Sequence, residues 1–156
     1  MTSVVDKVAV VGLGYVGLPL AVAFAKHLST VGFDIDGKRI EELRAGQDRN
    51  GDVEPDLLRA PGLEFTSDPV ALKGIDFLIV SVPTPVDEAA NPDLSYLTSA
   101  TRLVGSAIGA TAHTRRPIIS FESTVYPGCT EEVCVPLLEE ASFSKKFTKR
   151  SDLLSF

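Results

Sequence analysis

The chain is expected to fold as an α/β domain on a parallel sheet with helices on both faces, and three observations carry that expectation. Apolar runs of strand length alternate with helix-like segments from Lys7 onward. The runs are solidly apolar, as strands are when both of their faces are covered. A glycine-rich turn, Gly12-Leu13-Gly14-Tyr15-Val16-Gly17, joins the first run to the first helical pattern. Crossovers between such strands are right-handed.

The elements follow in order. Lys7 to Val11 is a Val-rich strand. Tyr15 to His27 turns helical, with Leu, Ala and Phe, and Pro19 falls in its first turns, where a missing N–H costs least. Thr30 to Asp34 is a second strand ending in an acid. Lys38 to Ala45 is a short helix with Ile40 and Leu43 on one face and Gly46 as its stop. Gln47 to Gly62 is a polar loop with a helical turn, Leu63 to Thr66 a short strand, and Asp68-Pro69 the start of a turn. Phe77 to Val82, FLIVSV, is the clearest buried strand, followed by a loop from Pro83 to Pro92. Leu94 to Ile108 is a helix with Leu94, Leu97, Leu103 and Val104 as its apolar positions, and Pro117 to Phe121 is another strand. Thr130 caps a last helix whose first turn carries Glu131 and Glu132, where carboxylates suit the helix dipole. Pro136 should kink that helix or delay its start.

At 156 residues the chain has room for one domain with a hydrophobic core but not for two. A net charge of -6 leaves no basic field for nucleic acid. Cys129 and Cys134 are too few for a disulfide framework, their spacing is not CxxC, and only His27 and His113 could join them at a metal, so two reduced thiols and no metal are expected. The uncharged stretch from Val8 to Ala25 is long enough to suggest a membrane helix or a signal segment. Its three glycines and Pro19 break such a helix, and Asp6 stands beside Lys7 in what would be a positive flank; the expected location is the cytoplasm, with no membrane partner. From Phe143 to Phe156 the chain changes character, with Lys145, Lys146, Lys149 and Arg150 close together. Either this tail binds a partner, or it is a frayed or non-native end, and the second is favoured.

The glycine turn fits G-x-G-x-x-G, and its context gives it meaning: a strand before it, a helix after it, and a second strand ending in an acid. Gly12 permits the tight turn, Gly14 lets the backbone approach a pyrophosphate, and Gly17 lets the helix pack on the sheet. Backbone N–H groups at the helix start then face the phosphate oxygens, helped by the helix dipole. The competing reading is a glycine-rich turn with no ligand. Asp34 can accept hydrogen bonds from both ribose hydroxyls of an adenosine and would repel the 2′-phosphate of NADP, so NAD is the expected cofactor. Asp36 is a rival whose plainer role is a helix-start acid. Arg39 complicates the choice, because a guanidinium there could stack on adenine or attract a 2′-phosphate. The fold class is therefore a Rossmann-type doubly wound parallel sheet.

VVGLGYVGLPLAVAFA, VGFDIDGKRI, FTSDP, IVSVPTPVDE, NPDLSYL and FESTVYPGCTEEVCVPLLEE, in that order between Lys7 and Ser142, resemble the N-terminal domain of the UDP-glucose/GDP-mannose dehydrogenase family. VPTPVDE and ESTVYPG with EEVC look most like its UDP-N-acetylhexosamine (GlcNAc or GalNAc) 6-dehydrogenases. The resemblance implies that residues Gly12 to Gly17, with Leu13, Tyr15 and Val16 between the glycines, bind the NAD pyrophosphate, that Asp34 binds the adenosine ribose, and that Arg39 lies near it. It implies that Val82, Thr84 and Pro85 line the cofactor site. It also implies that Ser123 and Thr124 approach the nicotinamide end, where Thr124 has a supporting catalytic role in positioning a water. Gly12, Asp34, Thr84 and Thr124 each follow a predicted strand end, where open parallel sheets hold their ligands. The less favoured reading makes Thr84 a turn residue and Ser123-Thr124 a helix-entry or turn pair, and Glu122 is read as a surface charge before an acid or base.

The family chemistry is a two-step NAD-dependent oxidation of a sugar C6 alcohol to a carboxylate through a cysteine-bound intermediate. The resemblance places that thiol, a lysine and the nucleotide-sugar contacts in central and C-terminal domains, and neither Cys129 nor Cys134 matches the nucleophile's motif. The resemblance implies residues 1–142 as the NAD-binding domain, with its sheet incomplete at the C-terminal end, and 143–156 as a divergent tail, in a frameshifted, truncated or partial chain. Two functions remain open: the cofactor half of a nucleotide-sugar 6-dehydrogenase, inactive by itself, or a non-catalytic NAD-binding module. A hydroxy-acid dehydrogenase suits VPTPVDE and STVYPG poorly. An exposed sheet edge makes self-association an expected property.

Overall fold

The computed structural model describes residues 5–111 and 117–142. The basic tail and His113 lie outside them. Five parallel strands form one sheet: β1 (Lys7–Val11), β2 (Ser29–Phe33), β3 (Leu63–Thr66), β4 (Phe77–Val80) and β5 (Ile118–Phe121), in the order β3-β2-β1-β4-β5. The helices are α1 (Gly17–Ala25), α2 (Gly37–Arg44), α3 (Ser95–Gly109) and α4 (Val135–Ser142).

The solidly apolar strands are covered on both faces, as read from sequence. Successive strand residues point to opposite sides. Val8, Val10 and Ile79 pack with Leu18, Ala21 and Val22 of α1 and Ile40 and Leu43 of α2. Ala9, Val11, Leu78 and Val80 pack on the other face with Leu97, Val104 and Ile108 of α3 and Leu138 of α4. α3 and α4 approach closely because Gly105 has no side chain: a methyl there would lie 2.8 Å from Ala141 Cβ.

Several element ends shift, each for a local reason. α1 starts at Gly17 rather than Tyr15 because the glycine turn occupies the preceding residues; Leu18 N–H, donating to Gly14 O at 3.0 Å, is its first helical bond. β4 stops at Val80 rather than Val82, because the Ser123 hydroxyl takes up the Val82 backbone, accepting from its N–H at 3.2 Å and donating to its carbonyl at 2.7 Å. α2 ends at Arg44, one residue before the expected Ala45, and Gly46 follows with φ +80°, a conformation that glycine adopts without strain. The last helix differs most. Thr130 does not cap it: the segment Thr130–Cys134 is π-helical, Cys129 precedes it with no side-chain cap, and α4 begins at Val135. Pro136 accounts for this, since its ring would clash with the carbonyl four residues back in a regular α-turn, and a wider turn moves that carbonyl away.

β1 pairs Val11 with Phe33 and with Val80, Phe33 pairs with Thr66, and Val80 pairs with Phe121. The carboxyl ends of all five strands are therefore level. The chain runs from β1 to β2 and β3 on one side, then returns across to β4 on the other, so the winding direction reverses between β1 and β4. A crevice opens where this happens.

Candidate functional site

The crevice is a cleft of about 640 Å³ beyond the ends of β1, β2 and β4. Its floor is the glycine turn. Gly12 has φ +98°, and a methyl on it would lie 2.4 Å from Ser81 O, so the β1 turn can pass β4 only with glycine there. A methyl on Gly17 would lie 1.8 Å from Gly12 O, which leaves no room for any side chain. Gly14 differs: a methyl there would meet nothing within 4 Å, and its open side belongs to the cleft. Among the described residues, no acceptor takes the amides of Gly14, Tyr15 or Val16, which precede the nine-residue α1. Those donors, at the positive end of a helix, form an anion seat.

Leu13 N–H is not free. It donates to Asp34 Oδ2 at 2.9 Å, while Asp34 Oδ1 accepts from Asp36 N–H at 3.0 Å. Each carboxylate oxygen keeps lone pairs beyond these bonds, so Asp34 both braces the turn and faces the cleft as an acceptor. Asp36 caps α2, accepting from the amides of Lys38 and Arg39 at 3.0 and 3.2 Å. The Arg39 amide, then the Arg49 guanidinium and the Lys38 amide, outweigh burial and hold the Asp36 carboxyl below its ordinary value.

Arg39 is only 4% exposed. Its Nε and Nη2 donate to Leu13 O at 3.2 and 3.1 Å, and Nη2 also donates to Asp48 Oδ1 at 2.7 Å. Instead of lying free for an adenine, the guanidinium is bonded to the glycine turn at Leu13 O. Asp48 also accepts the amides of Asn50, Asp52 and Val53, which folds its loop against the turn. Burial pushes the Asp48 carboxyl up, but Arg39 and the amides of Asn50 and Asp52 outweigh it, so it stays below the usual carboxylate range.

Of the residues singled out in the sequence, Gly12, Leu13, Gly14, Asp34, Asp36, Arg39 and Val82 line the cleft. Tyr15, Val16 and Gly17 sit at its helix end without lining it, and Thr84, Pro85, Ser123 and Thr124 lie farther along the sheet edge. Thr84 Oγ1 donates to Thr124 O at 2.6 Å, and Ser123 is spent on Val82, so these hydroxyls tie the tops of β4 and β5 together. Glu122 is exposed beside Ser120, whose hydroxyl it accepts at 2.5 Å. The far wall went unread in the sequence: Ser95, Tyr96, Ser99, Ala100 and Leu103, one face of α3. Its signal was a run of small residues at helical spacing. Cys129 and Cys134 are free and buried against α3, away from the cleft, and burial pushes the Cys134 thiol up to about 11. No group of three or more His, Cys, Asp or Glu among the described residues could hold a metal, and no helix among them is long and apolar enough to cross a membrane.

Residues 6–154 match the profile of the NAD binding domain of the UDP-glucose/GDP-mannose dehydrogenase family, a match that runs into the basic tail. The chain is 50% identical over 137 residues to a UDP-N-acetyl-D-glucosamine 6-dehydrogenase of Pseudomonas aeruginosa and 48% identical over 137 residues to one of Salmonella typhi. Each match covers 87% of this chain and 31% of the relative, so the chain spans about a third of their length. Among solved structures, a GDP-mannose dehydrogenase of Pseudomonas aeruginosa superposes with a TM-score of 0.79 at 28% identity, over 88% of this chain and 33% of that one.

Proposed function

We infer the function of this chain from one premise: it belongs to the UDP-glucose/GDP-mannose dehydrogenase family. Its cofactor is NAD, as the family domain it matches implies. It serves as the cofactor-holding portion of a nucleotide-sugar 6-dehydrogenase, which oxidises the C6 alcohol of a UDP-sugar to a carboxylate. UDP-N-acetylhexosamine is favoured as the substrate over UDP-glucose or GDP-mannose, because 6-dehydrogenases of UDP-N-acetyl-D-glucosamine share about half of this chain's residues. The product, a nucleotide uronic acid, suits a role in polysaccharide synthesis, in the cytoplasm.

One observation carries the binding role: Gly14, with an unclaimed amide, and Asp34, with acceptor capacity, line one cleft at the reversal of the sheet, and the unclaimed amides of Tyr15 and Val16 follow at its helix end. The amides of Gly14, Tyr15 and Val16 hold the pyrophosphate, and Asp34 takes the adenosine ribose hydroxyls. Arg39 holds the turn in shape. Val82 continues the cleft from β4, and Thr84, Pro85, Ser123 and Thr124 shape the sheet edge toward the nicotinamide end. NAD, when bound, supplies the hydride acceptor. By composition we assign residues 1–142 to this domain and 143–156 to a divergent tail, while the family profile continues to residue 154.

Titration with NAD by calorimetry tests the assignment. Asp34→Ala should weaken NAD binding roughly tenfold or more, the worth of charge-assisted hydrogen bonds. Unchanged affinity would remove Asp34 from the site. A second reading is a binding module without catalysis, since neither Cys129 nor Cys134 matches the nucleophile's motif and both are buried. NADH formation from a UDP-N-acetylhexosamine by the purified chain would exclude it.

A further inference from the structure

We propose that Asp48 makes this cleft choose NAD over NADP, by neutralising Arg39 and holding it on the Leu13 carbonyl. The inference rests on the reading that the cleft holds the adenosine of a dinucleotide. Arg39 lines the cleft from the first turn of α2, the helix that follows Asp34 and the end of β2. A guanidinium in that place is the fork that ordinarily receives a 2′-phosphate. Here the fork is engaged elsewhere. Its Nε and Nη2 are committed to Leu13 O, and Asp48 Oδ1 stands 2.7 Å from Nη2.

Burial gives the pair its weight. The side chains of Arg39 and Asp48 are 5% and 1% exposed, so water and salt screen them little. A phosphate monoester would therefore meet a neutralised pair flanked by the carboxylates of Asp34 and Asp36, not a free cation. The Nη1 of Arg39 is buried with no hydrogen-bond partner, so the guanidinium has donor capacity left over. That capacity becomes useful to an anion only when the Asp48 charge is gone. Arg49 also lines the cleft, but it is 43% exposed and paired with Glu42 at 2.6 Å and Asp36 at 3.3 Å, so solvent screens it and acids occupy it.

The test is the ratio of the Kd for NADP to the Kd for NAD, measured by calorimetry on the whole chain. In Asp48→Asn and Asp48→Ser the ratio should fall roughly tenfold or more, the scale of a charge-assisted hydrogen bond. Adding Arg39→Met to either variant should restore a high ratio. A purely structural role for Asp48 would weaken both dinucleotides in parallel and leave the ratio unmoved, which overturns the proposal. So would a fallen ratio that persists without Arg39, because Arg49 would then be the cation concerned. Loss of NAD binding in both Asp48 variants also overturns it, since Asp48 would then build the cleft and not choose its ligand. Failure of the unmodified chain to bind NAD is a different result: it removes the cleft assignment itself.

Discussion

A methyl group added at Gly17 would sit 1.8 Å from the Gly12 carbonyl oxygen, whereas one at Gly14 meets nothing within 4 Å. The two glycines of one motif therefore fail differently. Gly17→Ala should cost about 3 kcal/mol or more, as overpacking against a rigid backbone does. Gly14→Ala should leave stability within about 0.5 kcal/mol, as an open surface change does, yet weaken NAD roughly tenfold by holding the pyrophosphate off the amides. Urea unfolding and NAD titration on both variants separate the effects; full NAD affinity in Gly14→Ala would contradict the seat. The motif was readable because glycine's geometry is a local property. The choice between Asp34 and Asp36 was not settled by spacing alone. In the folded chain the two acids have different roles, since Asp36 caps α2 while Asp34 braces Leu13 at the cleft.

At the scale of elements, strands and helices fell close to where periodicity put them, and the ends moved where a side chain from elsewhere intervened. Ser123 reaches back to Val82, and its effect on β4 has no trace in FLIVSV. The loop after α2 shows the same dependence. Asp48 gathers three amides and Arg39 into one cluster, which sequence reading left as a polar stretch. Its folded carboxyl titrates below the unfolded value of about 3.9, so its contribution to stability is complete above that pH and is lost as pH falls through the lower, folded value. Unfolding midpoints measured from neutral pH down to about pH 3 should therefore fall more steeply in the native chain than in Asp48→Asn. Some slope should remain, because Asp36, Asp87 and Asp93 are also depressed. Identical slopes would mean that the cluster holds no charge.

At the scale of the whole molecule, the sheet is well covered at its centre and thinner at β5. Ile118 is 48% exposed, and the described residues pair β5 with β4 only. Unpaired backbone and an apolar edge residue invite another strand. Sedimentation should show weight-average mass rising with concentration, and Ile118→Lys should reduce that rise, since charge blunts an edge. A chain that stays monomeric at every concentration would speak against it.

What the sequence by itself determined was the order of strands and helices, the burial of the strands on both faces, the glycine turn and the acid that follows it. Those features depend on short-range periodicity and on the stereochemistry of single residues, which a linear reading contains. Only the tertiary structure decided that β4 lies beside β1 and opens the cleft, that one face of α3 forms its far wall, and that Arg39 is bound to Asp48 rather than free. These outcomes depend on which distant residues meet and how much water they exclude. A buried guanidinium and an exposed one share the same letter in the chain, and only their surroundings make one a ligand and the other a brace.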